Sequence, residues 1–276
     1  MPSAKIVLKD SGTGRFLETN REIRDLSEYI SVVTNLVLPE NPNSWYRGIS
    51  SHTFSLIPKL YRGKFNKLPK FAEEDLIGDF TRKAKAIHKG PVYNYSHWEW
   101  YCLMQHYGVP TRLLDWSENP LVALYFAIDN DKSSSAPCVW VLDPFGLNNL
   151  SADQRVVFFS DPSGQTEEDR EIIDRYKFDV EALPRFPLAI SPPYIDNRLQ
   201  IQMGCFTIHG RVKNGLYNMS KEADEYILIK LKIRRKGVPE IRKQLLACGI
   251  SKSYLFPGLE SLAEEITTDI LKKFLE

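Results

Sequence analysis

An arginine stands between aromatic residues and a glycine at positions 45–48, Trp-Tyr-Arg-Gly. The guanidinium group of Arg47 suits a phosphate or a carboxylate, because its donors form a planar fork. The ring of Tyr46 could stack on a nucleobase or a nicotinamide, and Gly48 permits a close backbone approach. The alternative is a core strand with a single arginine that reaches towards solvent. These four residues leave both interpretations open.

A longer block, residues 105–120, places polar side chains among large apolar ones. His106, Arg112, Asp115 and Ser117 are the types that recur in catalytic and binding sites. A charge buried in a protein interior must be paired or must meet a ligand, because an isolated one is costly to desolvate. The structural alternative is a salt bridge from Asp115 to Arg112 or to Arg47 that fixes the chain at this point.

A third stretch alternates polar and apolar residues, and we expect a strand over residues 199–208. Alternation along a strand would put Gln200 and Gln202 on one face of the sheet. Two amides on one face can hydrogen-bond a ribose or a base. They can equally belong to a solvated sheet face, which is the commoner reason for such alternation.

The composition is that of an ordinary globular protein, with 276 residues and 36 Lys and Arg against 35 Asp and Glu. This balance gives no global basic excess for nucleic acid or anionic lipid. The four cysteines are far apart, so we expect neither a zinc site nor a disulfide framework, and no metal site is predicted. No glycine-rich nucleotide loop, zinc-protease motif or nucleophile elbow occurs. With no signal peptide or apolar span in the sequence, we expect a cytoplasmic protein without a membrane partner.

The elements that must position these residues alternate irregularly between helix and strand. Helices are predicted at about 21–38, 71–88, up to Gly108, 121–127, 167–182, 239–247 and from 259 onwards. Strands are predicted at 45–49, 111–116, 138–142, 155–159, 199–208, 226–233 and 253–256. Helix 71–88 would turn Phe71 and Ile87 inward. The absence of a repeating βαβ unit predicts an α+β fold.

The same stretches resemble the FRG-domain family, which is named for a short aromatic-Arg-Gly motif. Here the motif is Tyr46-Arg47-Gly48, followed by similar segments at residues 54–62, 105–117, 120–127 and 249–257. The resemblance extends from about residue 20 to the end. It implies one compact domain over residues 21–276, preceded by an N-terminal strand or arm at residues 1–20.

A more distant resemblance is to ADP-ribosyltransferases of the Arg-Ser-Glu type, whose three motifs follow the same order. It implies helices around a mixed, mostly antiparallel split sheet. It also implies that Arg47 binds an NAD phosphate, Ser117 or Asp115 the nicotinamide ribose, and Gln202 the ribose 2′-hydroxyl. Nicotinamide would stack on an aromatic ring, with Tyr46, Trp116 and Tyr125 as the candidates. The predicted catalytic residues are Arg47, Asp115 and Gln202, and the predicted cofactor-binding residues are Tyr46, Arg47, Gly48, His106, Arg112, Ser117 and Gln200.

One position departs from that family's pattern, because its third motif carries glutamates where this chain has Gln200 and Gln202. A glutamine can orient a ribose but cannot supply a negative charge or act as a general base. Asp115 could take that role if it faces the same cleft.

The resemblance predicts an NAD-dependent, ADP-ribosyltransferase-like enzyme. Such an enzyme would modify a macromolecular acceptor and would act as a toxin or an anti-phage effector. The first alternative is a non-catalytic module that binds a nucleotide or a partner. The second is an enzyme acting on nucleic acid, such as a nuclease, which would require clustered acidic residues and a divalent metal.

Overall fold

Nine strands form one sheet in the computed structural model of the chain, which describes residues 5–12, 16–37, 39, 41–69, 71–87, 95–129, 135–161 and 164–275. The strands are β1 (Leu8–Asp10), β2 (Leu17–Thr19), β3 (Trp45–Ile49), β4 (Leu113–Ser117), β5 (Cys138–Leu142), β6 (Phe158–Phe159), β7 (Leu188–Ser191), β8 (Gly204–Ile208) and β9 (Leu228–Lys232). Their spatial order is β1-β2-β9-β5-β3-β4-β8-β7-β6. Only the pairs β2–β9 and β6–β7 are parallel, so the sheet is mixed, mostly antiparallel and unclosed.

Eleven α-helices surround this sheet in the described part of the chain. They are α1 (Leu26–Val32), α2 (Ala72–Ile87), α3 (His97–His106), α4 (Pro120–Ile128), α5 (Pro144–Ala152), α6 (Glu167–Asp174), α7 (Asn197–Ile201), α8 (Gly215–Glu222), α9 (Val238–Ala247), α10 (Lys252–Leu255) and α11 (Leu259–Leu275). The fold is α+β, as predicted. None of the described helices is both long and apolar enough to cross a membrane.

Local signals in the sequence explain where the helices next to the central strands begin and end. Helix α3 starts at a capping box, in which Ser96 and Glu99 bond to each other's backbone N–H. It is followed by Gly108 in the left-handed region, with φ of +75°. Helix α4 opens with Asn119 as the N-cap and Pro120 in its first turn, as the sequence predicted.

The pairing between neighbouring strands is least extensive between β3 and β4. These strands are joined in register at the single pair Tyr46–Ser117, whereas β4 and β8 pair over five residues. On one face of the sheet, a single apolar cluster that includes Trp45, Trp116 and Trp140 extends across this junction. The apolar packing is therefore divided only on the opposite face of the sheet.

The opposite face carries two separate apolar clusters. One packs α1, α4 and α9 on β3, β5 and β9, with Tyr46 and Leu231 in its core. The other packs α2, α3 and α6 on β4, β7 and β8, with Leu113 and Phe206 in its core. The boundary between the two helical layers follows the junction of β3 and β4, and Asp115 lies there.

The predicted strand at 199–208 is wrong in its first half. Asp196 accepts a hydrogen bond from the Leu199 N–H and thereby caps the short helix α7. Gln200 is exposed on this helix and Gln202 ends it, so the two amides do not share a strand face. The alternation of polar and apolar residues was outweighed by an aspartate at the helix N-cap.

Three other predictions need correction. Residues 252–255 form α10 instead of a strand, because Ser251 caps them by accepting from the Tyr254 N–H. Helix α6 ends at Asp174, well short of residue 182. Phe71 and Ile87 are exposed at the two ends of α2, beyond the part that packs on α3.

The strands at 45–49 and 138–142 are confirmed with the predicted bounds. In the N-terminal arm, β1 and β2 extend the sheet beyond β9. Residues 1–4 and 13–15 of that arm, residue 38 of the first predicted helix and residue 88 of the second lie outside the described residues.

Candidate functional site

A small polar cavity lies at the boundary between the two helical layers. Its volume is about 60 Å³, and six polar or charged side chains line it together with apolar ones. The six are Gln105, His106, Asp115, Asp196, Arg198 and Gln202. We call this place the junction cleft. Strand β4, helix α3 and helix α7 supply these groups, so the cleft exists only once the three elements pack together.

Arg47 lies on β3 next to the cleft and contacts Asp115 from there. Its Nη1 donates to the backbone carbonyl of Asp115 and lies 3.5 Å from the Asp115 Oδ2. A side chain thus satisfies a β4 carbonyl beside the single register pair of the two strands. Burial lowers the pKa of Arg47, and the nearby Asp115 partly opposes that shift. The guanidinium stays charged, because arginine pKa values are far above neutrality.

Asp115 is the most accessible charged group placed by the central strands, with 56% of its side chain exposed. The amide nitrogen of Gln105 donates to both of its carboxylate oxygens, at 2.9 and 3.0 Å. Thr111 fixes the other end of that amide by donating to Gln105 Oε1 at 2.5 Å. The carboxylate is therefore oriented from one side and open to solvent on the other.

The second carboxylate of the cleft belongs to Asp196. Its Oδ2 lies 3.0 Å from the Nδ1 of His106. Burial opposes ionisation of Asp196, but the contacts with His106 and with the backbone N–H of Leu199 outweigh it and lower the pKa. The aspartate lies beside the imidazole, and a quarter of the His106 side chain is exposed. This is the arrangement by which a histidine accepts or donates a proton during a reaction.

Arg198 is the remaining charged residue that lines the cleft. Its guanidinium carbon lies 4.4 Å from the centre of the Phe256 ring, a cation–π contact. Burial lowers its pKa, and the negative charges of Asp115 and Asp196 act in the opposite direction. No salt bridge to Arg198 is formed within 4.0 Å by the residues that the structure describes. A guanidinium fork that forms no ion pair with the described residues has donors with which it can bind a phosphate.

The structure ties Gln202 and Ser117 to the backbone. Gln202 Nε2 donates to the Leu255 carbonyl at 2.9 Å, and Ser117 Oγ donates to the Gln202 carbonyl at 2.6 Å. Ser117 also accepts from the Asn119 N–H at 3.0 Å. Gln202 lines the cleft, whereas Gln200 is not among its lining residues. These bonds hold α7, α10 and the start of α4 together around the cleft.

The other two residues of the aromatic-Arg-Gly motif face α4, on the opposite side from Arg47. A Cβ at Gly48 would lie 1.9 Å from the Ala123 carbonyl oxygen, so only glycine lets α4 pack this closely on β3. Tyr46 is 2% exposed, and burial raises its pKa to about 12. Trp116 and Tyr125, the other candidates for stacking on nicotinamide, are also buried. The backbone approach that Gly48 permits is therefore made by a helix.

Arg112 lies in a separate buried network. Its Nε donates to both Glu73 oxygens at 2.8 Å, Nη1 to the His209 carbonyl at 2.9 Å and Nη2 to the Tyr176 carbonyl at 2.6 Å. Burial opposes its charge, but Tyr101 and Glu73 outweigh that effect and raise its pKa. Its side chain is 1% exposed. Of the two interpretations that the sequence left open for Arg112, this geometry favours the structural one, with Glu73 as the partner.

Sequence reasoning missed three members of the junction cleft: Gln105, Asp196 and Arg198. Asp196 carried a detectable signal, since an aspartate three residues before an apolar position is a common N-cap. Nothing local marked Gln105 or Arg198, because their partners come from other elements.

The FRG domain family model matches residues 42–136. This range includes the aromatic-Arg-Gly motif and the block that carries His106, Arg112 and Asp115, so the predicted resemblance to the FRG family is confirmed there. It ends before Asp196, Arg198 and Gln202. No curated protein and no solved structure matches the chain.

Proposed function

We propose that this protein is an ADP-ribosyltransferase-like enzyme that cleaves the bond between nicotinamide and ribose in NAD and passes the ADP-ribose to a macromolecular acceptor. The observation that carries the proposal is the Asp115 carboxylate, 56% exposed and oriented by Gln105, in a cleft that also contains Arg198 and the His106–Asp196 pair. Positive charge develops on the ribose as the bond breaks. A carboxylate fixed beside that charge stabilises the transition state.

In this proposal, each charged residue at the cleft has a separate role in the reaction. The carbon–nitrogen bond breaks with its electron pair leaving on nicotinamide, and Asp115 faces the cationic ribose. An oxygen or nitrogen of the acceptor then bonds to the same ribose carbon and loses its proton, which His106 accepts while Asp196 orients the ring. Arg198 and the partly covered Arg47 bind the diphosphate.

The size of the cavity limits how NAD can bind. At about 60 Å³ it is far smaller than the 300–1,000 Å³ of typical ligand pockets. The whole dinucleotide therefore cannot enter the cavity, and we place most of it along the open surface. We place the diphosphate at Arg198, which lines the cavity and lies over the Phe256 ring.

The test is nicotinamide release from NAD by the purified protein, with and without protein and nucleic-acid acceptors. We expect Asp115→Asn to lower the rate by about 100-fold or more, the usual loss when one electrostatic group is removed from a transition state. The matched control is Asp79→Asn, because Asp79 is 58% exposed and also pairs with cations, but lies on α2 away from the cleft. Release by Asp115→Asn at the rate of Asp79→Asn would disprove the role of Asp115.

A non-catalytic nucleotide-binding module is the second candidate, and one observation favours it. The third motif contributes an amide that is already bonded to the Leu255 carbonyl, and no carboxylate. Titration with NAD decides between the two candidates. Binding that Arg47→Ala weakens, without nicotinamide release by the wild-type protein under any condition, would establish the module and overturn the enzyme.

The nuclease alternative requires clustered acidic side chains that hold a divalent metal. Among the described residues, no group of three or more His, Cys, Asp or Glu side chains is placed to hold a metal ion. Nuclease activity that a chelator abolishes would nonetheless establish it over the other two.

A further inference from the structure

A second cavity lies outside the junction cleft. It has a volume of about 440 Å³, within the range of pockets that hold small organic ligands. The short helical turns Lys59–Tyr61 and Gly63–Lys67, the start of α2 and the segment after α6 form its walls. Arg211 and Lys213, which follow β8, complete the lining. We call it the turn pocket.

Aromatic rings supply much of the apolar lining of the turn pocket. Tyr61, Phe65 and Phe178 come from three different segments, and all three are only partly buried. The Tyr61 hydroxyl donates to the Gly210 carbonyl at 2.7 Å, which fixes its ring against the strand end of β8. Aromatic rings that line a cavity can bind planar ligands by stacking.

Cations surround these rings. Lys213 Nζ donates to Asn66 Oδ1 and lies 6.0 Å from the centre of the Tyr61 ring. Lys59 and Lys64 lie 6.0 and 5.5 Å from the centre of the Phe65 ring. Arg211 is exposed and forms no salt bridge within the described part of the chain. Positive charge is thus concentrated beside the stacking faces.

The acidic residues of the pocket do not cancel this charge. Glu73 is held by Arg112 in the buried network, so Glu181 is the one acidic residue of this lining that remains to offset Arg211 and Lys213. The sequence shows the same bias, since residues 41–72 contain six lysines and arginines but no aspartate or glutamate. In a chain with a net charge of only +1, this is a pronounced local excess.

We infer that the turn pocket binds a nucleotide, with the base against the aromatic rings and the phosphate at Arg211 and Lys213. Stacking faces combined with flexible cations are the arrangement by which proteins hold single nucleotide units without reading their sequence. The unit could be a free mononucleotide or the end of a single strand, since both present the same base and phosphate. The inference is independent of the chemistry proposed for the junction cleft.

The test is direct binding, measured by calorimetry, of a nucleoside 5′-monophosphate, the matching nucleoside, inorganic phosphate and a short single-stranded oligonucleotide. We expect the monophosphate to bind more tightly than the nucleoside or phosphate, and its affinity to fall as salt is raised. Much tighter binding of the oligonucleotide than of the monophosphate would assign the site to the end of a strand. The reverse order would assign it to free nucleotides.

Two variants locate the binding. The double variant Arg211→Glu with Lys213→Glu should weaken binding of the monophosphate by tenfold or more. Phe65→Ala should also weaken its binding, because stacking on the ring is lost. Lys243→Glu, a charge reversal on the exposed face of α9, is the control and should bind as the wild type does. Equal affinity in the control and in the double variant would overturn the inference, as would no binding of any nucleotide by the wild-type protein. Because binding is measured without turnover, failure here is distinct from failure of the proposed enzyme activity.

Discussion

Two arginine–carboxylate pairs flank the central strand β4, and they differ in almost every physical respect. The side chains of Arg112 and Glu73 are 1% and 10% exposed and meet at 2.8 Å, whereas those of Arg47 and Asp115 are 18% and 56% exposed and meet at 3.5 Å. The first pair is enclosed by further hydrogen bonds. The second has a carboxylate that is open to solvent on one side.

The difference separates a structural role from a functional one. Every nitrogen of the Arg112 guanidinium donates to a protein acceptor, so the pair joins α2, α6 and the sheet. Asp115 keeps accepting capacity that the protein does not use. A charge held in place with unused capacity can act on a ligand, while a fully bonded charge holds the fold together.

The largest predicted effect that tests the contrast between the two pairs is on the free energy of unfolding. We expect Arg112→Leu to lower the free energy of unfolding by about 3–5 kcal/mol, because it leaves the Glu73 carboxylate buried without its partner. Asp115→Asn should change it by about 1 kcal/mol or less, since the pair with Arg47 is half exposed. Urea denaturation of both variants gives the two values.

A double variant checks the cause. Arg112→Leu combined with Glu73→Leu removes both charges and should recover part of the lost stability, because no unpaired charge remains buried. If Arg112→Leu costs no more than Asp115→Asn, the contrast between the two pairs is wrong.

The next effect concerns the strand that presents Arg47. Gly48→Ala should destabilise the protein by about 1–3 kcal/mol or more, because the new Cβ would collide with the backbone of α4 at Ala123. Gly78→Ala is the matched control, since no heavy atom lies within 4 Å of a Cβ at that exposed position in α2. It should stabilise the helix by about 0.5–1 kcal/mol. Thermal unfolding of both variants would contradict the assignment if the two shifts had the same sign.

The smallest effect is a dependence on pH that arises beside the buried pair. His209, whose carbonyl accepts from Arg112, is fully buried, and burial lowers the pKa of its imidazole to about 3, with further lowering by Arg112 and Arg47. Burial also lowers the pKa of His97 to about 4. The unfolded chain takes up these protons near pH 6.5 and the folded chain does not, so stability is full above about pH 6.5 and falls as the pH drops towards these values.

Each such proton gives a slope approaching about 1.4 kcal/mol per pH unit below pH 6.5. We expect His209→Gln to lose one histidine's share of that slope between about pH 7 and 5, a range that lies above the titration of ordinary carboxylates. The measurement is the unfolding free energy of the wild type and the variant at several pH values. An unchanged slope in the variant would show that His209 is protonated in the folded protein too.

Much of the frame around both pairs could be predicted from the sequence, because local rules decide it. Asn119 and Pro120 fix the start of α4, Ser96 and Glu99 fix that of α3, and Gly108 follows its end. The strand at 45–49 followed from its aromatic run. The same local reasoning failed at 199–202, where alternation and an N-cap signal compete within a few residues.

The chain by itself therefore determined the elements that local signals mark and three residues of the candidate site: an arginine after an aromatic residue, an aspartate on the next central strand and a histidine at a helix end. Only the tertiary structure decided which of these charges are bonded and which are open. Arg112 meets Glu73 across 39 positions and Gln202 meets Leu255 across 53, and sheet order and helix packing bring these groups together. The physical reason is that capping and turn preferences act within a few residues, whereas the partner of a charge is set by long-range packing.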